Sequence, residues 1–185
     1  MTLRITWLAH GATSATRRAS FPEDEPIEAK AREAAARLRD SLPRADRVLI
    51  APERRTRETA AALGLTGACD PLLRDCDHGR WAGRALAELR AEEPHALAAW
   101  LEDPDTAPHG GESVADVIRR IARWSDSRGE GRILAVTHPT VIRAALIHAM
   151  GAPASSFWRV DVAPLSRLIL SRQGANWRVQ ALVNP

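Results

Sequence analysis

Two histidines stand where apolar segments give way to polar ones. His10 lies in Trp7-Leu8-Ala9-His10-Gly11-Ala12-Thr13, and His138 in Ile133-Leu134-Ala135-Val136-Thr137-His138-Pro139. A neutral imidazole is a nucleophile, and a second one can hold an anion. Between them runs Ala51-Pro52-Glu53-Arg54-Arg55-Thr56-Arg57-Glu58-Thr59-Ala60, whose guanidinium forks match phosphate oxygens. Pro139 suits the first position of a helix, and a helix start offers unpaired N–H groups and the positive end of a dipole. Two imidazoles, arginines and a helix start describe a phosphate pocket. Residues so far apart in sequence meet if each ends a strand of one open sheet, where carboxyl ends share a crevice.

The elements that would put them there alternate in type. The pattern predicts strands at 4–9, 47–51 and 133–137, each short, apolar and partly β-branched. It predicts helices at 27–42, closed by Pro43, at 54–63, ending near Gly64, and at 139–150. Val114, Val117, Ile118, Ile121 and Trp124 recur at helical spacing and form one apolar stripe. Residues 70–83 read as irregular, 84–93 and 95–101 as helical pieces broken at Pro94, and 158–183 as two or three strands. The expected class is α/β, a three-layer α/β/α sandwich with a mostly parallel central sheet covered on both faces. At 185 residues and 45% hydrophobic content, with no repeat and no linker, residues 1–185 are expected to form a single domain.

Composition narrows the function classes. No apolar stretch approaches a membrane span and the first residues lack a signal-peptide pattern, so a cytoplasmic protein without a membrane partner is expected. Cys69 and Cys76 fit no metal knuckle and make no disulfide framework, which reads as reduced thiols. Of the 26 basic residues only Lys30 is lysine, and the arginines are spread along the chain among acids rather than gathered in a stripe with aromatics. No nucleic-acid partner is expected from that pattern. The six histidines show no metal-ligand spacing, and no cofactor is expected. Oligomeric state stays open.

Five short motifs, in order, carry a resemblance. They are His10-Gly11 with Thr13; Pro52, Arg55, Thr59 and Ala60; Asp75 upstream of Gly79-Arg80-Trp81-Ala82-Gly83; Gly110-Gly111-Glu112-Ser113; and Thr137-His138. The chain resembles the histidine phosphatase superfamily, also called phosphoglycerate mutase-like, and its short length and Gly-x-Trp turn look like the small phosphatase branch. The resemblance implies a metal-independent phosphomonoesterase acting on a small phosphorylated metabolite. By it His10 is the nucleophile and forms a phosphohistidine, Arg55 and His138 bind the transferring oxygens, and Asp75 is general acid and then base. Gly11, Thr13, Thr16, Arg17 and Arg18 fall in the loop expected to bind phosphate or substrate.

The same resemblance exposes departures. Ala9 stands where the family carries an arginine on the phosphoryl group, Ala12 replaces a Glu, Thr16 an Asn, Ala51 a Ser, and Asp75 a Glu. Loss of one preorganised donor costs on the order of a hundred- to a thousandfold in turnover. Arg17 and Arg18 follow the nucleophile loop and could swing a guanidinium into the vacant place, and His78 or His109 could add a cation or proton donor by the leaving group. A second expectation follows from Ala9: a catalytically impaired pseudo-phosphatase that serves as a phosphate-binding or protein-interaction module.

Overall fold

Strands that are apolar on both faces belong in the middle of a covered sheet, and two segments here meet that condition. In the computed structural model, which describes residues 2–184, β1 (Leu3–Ala9) and β4 (Gly131–Thr137) are each buried over their last five residues. They pair in parallel along their whole length, from Leu3 opposite Gly131 to Ala9 opposite Thr137. β2 (Arg47–Ile50) runs parallel to β4 on its other side, and the two-residue β3 (Ala68–Cys69) closes that edge. β5 (Arg167–Gln173) is antiparallel to β1, and β6 (Asn176–Val183) to β5. The sheet order is β3-β2-β4-β1-β5-β6, mostly parallel with an antiparallel hairpin at one edge.

Side-chain alternation along β1 splits the core in two. Leu3, Ile5, Trp7 and Ala9, with Ile133 and Ala135 of β4, face α6 (Val114–Asp126) and α7 (Pro139–Met150). Leu8, Leu134 and Val136 face α2 (Ala29–Leu38) and α3 (Arg54–Ala62). This is the α/β/α sandwich that the alternating pattern implies. A smaller apolar cluster of Phe21, Trp81, Leu89, Leu97 and Trp100 forms under α4 (Leu86–Glu92) and α5 (Pro94–Glu102).

Three local features depart from the sequence-based expectation. The helix expected over 27–42 starts at Ala29, because Ile27 bridges to Thr13, and it tightens into a 3₁₀ turn over Arg39–Ser41. A one-turn helix, α1 (Ser14–Arg18), follows the His10 loop, capped by Thr13, whose hydroxyl accepts from the Thr16 amide. Pro94 opens α5 at its first turn, the position where its missing N–H is harmless. Among the described residues no helix is long and apolar enough to cross a membrane.

Candidate active site

The carboxyl ends of β1 and β4 lie side by side, which fixes the two histidines. The His10 amide donates to the Thr137 carbonyl at 2.9 Å, and the imidazole rings of His10 and His138 sit 5.2 Å apart, edge to face. His138 is the residue that precedes α7, and Pro139 occupies that helix's first turn. Arg55 is the second residue of α3, after β2 and the Pro52 turn, so all three strands deliver side chains to one end of the sheet.

His10 is held in one tautomer. Its Nδ1 lies 2.8 Å from the Gly11 carbonyl, an acceptor only, so Nδ1 carries the proton and Nε2 keeps its lone pair. Burial first, then the charges of His138 and Arg55, lower its pKa to about 3. The ring is therefore neutral across the physiological range.

Arg55 is a hub, buried to 1% exposure. Its Nη2 donates to Asp75 Oδ2 at 2.9 Å, its Nη1 to the Glu23 carbonyl at 2.6 Å, and its Nε to His138 Nδ1 at 3.3 Å. Asp75 Oδ2 also lies 3.3 Å from His138 Nδ1. Burial pushes the Asp75 carboxyl up, but the His138 ring and the Arg55 guanidinium beside it outweigh that and hold the group well below the usual carboxylate range. Four residues nominated from sequence, His10, Arg55, Asp75 and His138, thus gather in one buried cluster.

A fifth residue was not nominated. Glu53, the N-cap of α3, places Oε2 2.8 Å from His138 Nε2, and its Oε1 accepts the Asp75 amide at 3.0 Å. Burial raises its pKa, yet the His138 bond and charge and the Asp75 amide win, so it is held below its ordinary value. The signal was available: Glu53 follows β2 in the same strand-end context that marked His10 and His138.

The loop residues are placed differently from the cluster. The Gly11 amide donates to Thr59 Oγ1 at 2.9 Å, and Thr59 in turn donates to the Arg55 carbonyl at 2.7 Å. The absence of a side chain at Gly11 serves packing, since a Cβ there would meet Ala31 Cβ at 3.1 Å. Thr13 is a buried helix cap, and Thr16, Arg17 and Arg18 are exposed. Arg17 Nε is bonded to Glu28 at 2.9 Å, and no hydrogen bond links Arg17 or Arg18 to the cluster among the described residues. Ala9 is fully buried in the same apolar cluster as Ala51, Leu73 and Cys76.

The Gly-x-Trp turn and the Gly-Gly-Glu-Ser segment explain one another. The Arg80 amide donates to the His109 carbonyl at 3.0 Å and the Glu112 amide to the Asp77 carbonyl at 2.8 Å. A Cβ at Gly79, whose φ is +48°, would meet the His109 oxygen at 2.2 Å, and one at Gly111 the Asp77 oxygen at 2.0 Å. Glu112 accepts from Arg74 and twice from Arg120, each at 2.9 Å. Arg120 spends its remaining donors on the Leu72, Arg74 and Asp75 carbonyls at 2.7–3.2 Å. The fourth motif clamps the loop that presents Asp75, and Ser113 caps α6 in a capping box with Asp116. Among the described residues no group of His, Cys, Asp and Glu is arranged to hold a metal ion.

The family model described as "Histidine phosphatase superfamily (branch 1)" matches residues 5–185. The chain belongs to the histidine phosphatase superfamily. A glucosyl-3-phosphoglycerate phosphatase of Mycolicibacterium vanbaalenii is 30% identical over 173 residues, 83% of this chain and 77% of that one. A bifunctional protein of Mycobacterium tuberculosis is 34% identical over 139 residues, 70% of this chain. The chain matches only 38% of that protein's length. Among solved structures, a mycobacterial glucosyl-3-phosphoglycerate phosphatase complexed with VO3 superposes with a TM-score of 0.83 at 28% identity, covering 96% of this chain and 97% of that one. The superposition spans nearly the whole of both chains, so the two proteins share one fold.

Proposed function

We propose that this chain hydrolyses phosphate monoesters of small metabolites in two steps, with His10 as nucleophile. One observation carries the reading. The Gly11 carbonyl fixes the proton on Nδ1, so a buried, neutral His10 offers Nε2 beside the Arg55 guanidinium and His138. In the first step Nε2 attacks phosphorus, the phosphorus–oxygen ester bond breaks, and the leaving alkoxide takes a proton from Asp75. In the second, Asp75 takes a proton from water, the hydroxyl attacks phosphorus, the P–N bond breaks and inorganic phosphate leaves. Arg55 and His138 stabilise the equatorial oxygens, where charge concentrates in the transition state.

Asp75 must be protonated for the first step. In the free protein Arg55 and His138 hold it ionised against the pull of burial. A bound phosphoryl dianion competes for the Arg55 guanidinium, and burial then raises the proton affinity of the carboxyl. Ligand and acid are coupled through Arg55. The named phosphatase relatives support the reaction class, and the two unpaired thiols, Cys69 and Cys76, agree with a cytoplasmic location.

A second reading, a phosphate-binding module without useful turnover, is favoured by Ala9, which sits in the apolar core where it offers no donor. Hydrolysis of p-nitrophenyl phosphate by wild type and His10→Ala decides between the two. The phosphatase reading expects turnover that His10→Ala removes, and an acid-labile, base-stable phosphoryl label on wild type alone. Equal rates in both proteins over several pH values would leave only the binding module.

A further inference from the structure

Beside the cluster opens a cleft of about 530 Å³. His78, which acts electrostatically on Asp75, lines it, and Cys76, Pro139 and Thr140 bring its wall within two residues of Asp75 and His138. Its walls are aromatic. Phe21 and Trp100 lie 5.5 Å apart between centroids, Trp100 and Trp158 4.6 Å, and Phe157 and Trp158 4.9 Å. Aliphatic side chains of α4, α5 and α6 fill in between. Trp158 and Leu101 keep 36% and 42% of their surface exposed, apolar area that the chain itself does not cover.

Two of the polar groups at the cleft are committed. Thr16 shares its hydroxyl with Thr13, and Arg143 Nε donates to the Val160 carbonyl at 2.7 Å. The Arg143 guanidinium lies 5.6 Å from the Trp158 ring and 5.9 Å from the Phe157 ring, within reach of both π-systems. Arg90 is exposed to solvent. Two buried nitrogens, His78 Nδ1 and Trp100 Nε1, have no protein partner. A polyol seated here would press most of its hydroxyls against ring faces and lose their hydrogen bonds to water, whereas an aromatic body loses none.

Resting on the phosphatase reading above, we infer that the substrate is the phosphate ester of an aromatic or otherwise apolar alcohol, not of a polyhydroxylated sugar. The cleft holds the alcohol and Arg55 and His138 the phosphoryl group. The test compares 2-phenylethyl phosphate with glycerol 3-phosphate, primary alkyl esters whose leaving alkoxides are of similar basicity. kcat/KM for the aromatic ester exceeds that for the glycerol ester by about tenfold or more, chiefly through KM. Trp158→Ser, and independently Leu101→Ser, reduce that ratio several-fold in protein whose circular dichroism melt shows it folded.

A ratio of one or below, with both activities abolished by His10→Ala, overturns the apolar class and leaves the phosphatase reading standing. Absence of His10-dependent hydrolysis of either ester removes the phosphatase reading instead. Calorimetric titration of His10→Ala protein with the same two esters then tests the cleft without turnover. Preferential binding of 2-phenylethyl phosphate supports the apolar class, and equal binding or none overturns it.

Discussion

At His138 two ring nitrogens face two different tasks. Nε2 is bonded to Glu53 at 2.8 Å, while Nδ1 faces Arg55 and Asp75 at 3.3 Å each. Glu53 therefore sets the ring's orientation and favours a proton on Nε2, a positioning role of the kind that a carboxylate plays behind a catalytic imidazole. Glu53→Ala is expected to lower kcat/KM by about 10- to 100-fold, with Glu53→Gln, which can still accept from the ring, recovering most of it. A kcat-against-KM split separates this from a packing loss: Glu53→Ala lowers kcat in protein whose melting temperature is unchanged, and Glu53→Gln restores it. Equal losses of kcat in both variants would deny the positioning role. Phosphate binding is argued at the same scale. Inorganic phosphate at a hundredfold excess over its dissociation constant stabilises the fold by about 2.7 kcal/mol, and the resulting rise in melting temperature disappears in Arg55→Ala.

Elements present these residues with tolerances that short backbone approaches set. The Asp75 loop is held where Gly79 and Gly111 let two backbones come closer than any Cβ permits. Gly111→Ala, which puts a carbon 2.0 Å from the Asp77 oxygen, is expected to cost about 1–3 kcal/mol and displace Asp75. Both a fall of several degrees in melting temperature and a reduced kcat check it. Gly129→Ala, where a Cβ meets open space, is the control and leaves both unchanged. This scale also shows what pattern reading captures. α7 runs from Pro139 to Met150, the bounds its Pro start and Gly151 stop announce, and Gly151 takes φ +59° as a left-handed cap. The two-residue β3 and the single turn of α1 escaped because neither is long enough to show a period.

Over the whole molecule, buried imidazoles tie stability to pH. His10, His78 and His109 all lie below the ordinary value of 6.5, first because of burial, His10 at about 3 and His109 at about 4. The unfolded chain takes up protons at these residues as pH falls through about 6.5, and the folded chain resists, so acid favours unfolding. Stability is expected to fall between pH 6.5 and 4, by up to about 1.4 kcal/mol per pH unit for each of His10 and His109, before the depressed carboxylates Asp75 and Glu53 add to the loss at lower pH. Urea midpoints from pH 7 to 4 measure it, and a flat curve above pH 5 would contradict it.

By itself the sequence determined the sandwich, because central strands apolar on both faces and helices with one apolar stripe have few other ways to bury those surfaces. It nominated His10, Arg55, Asp75 and His138 as candidates, because each falls in one of the five short motifs. Tertiary structure alone decided the partners. That Glu53 reaches His138, that Thr59 takes the Gly11 amide, and that Arg17 spends its charge on Glu28 are facts of 2.8–2.9 Å between residues 11 to 85 positions apart. Local pattern fixes where a side chain starts; which charge it meets depends on how the sheet brings separate strand ends together.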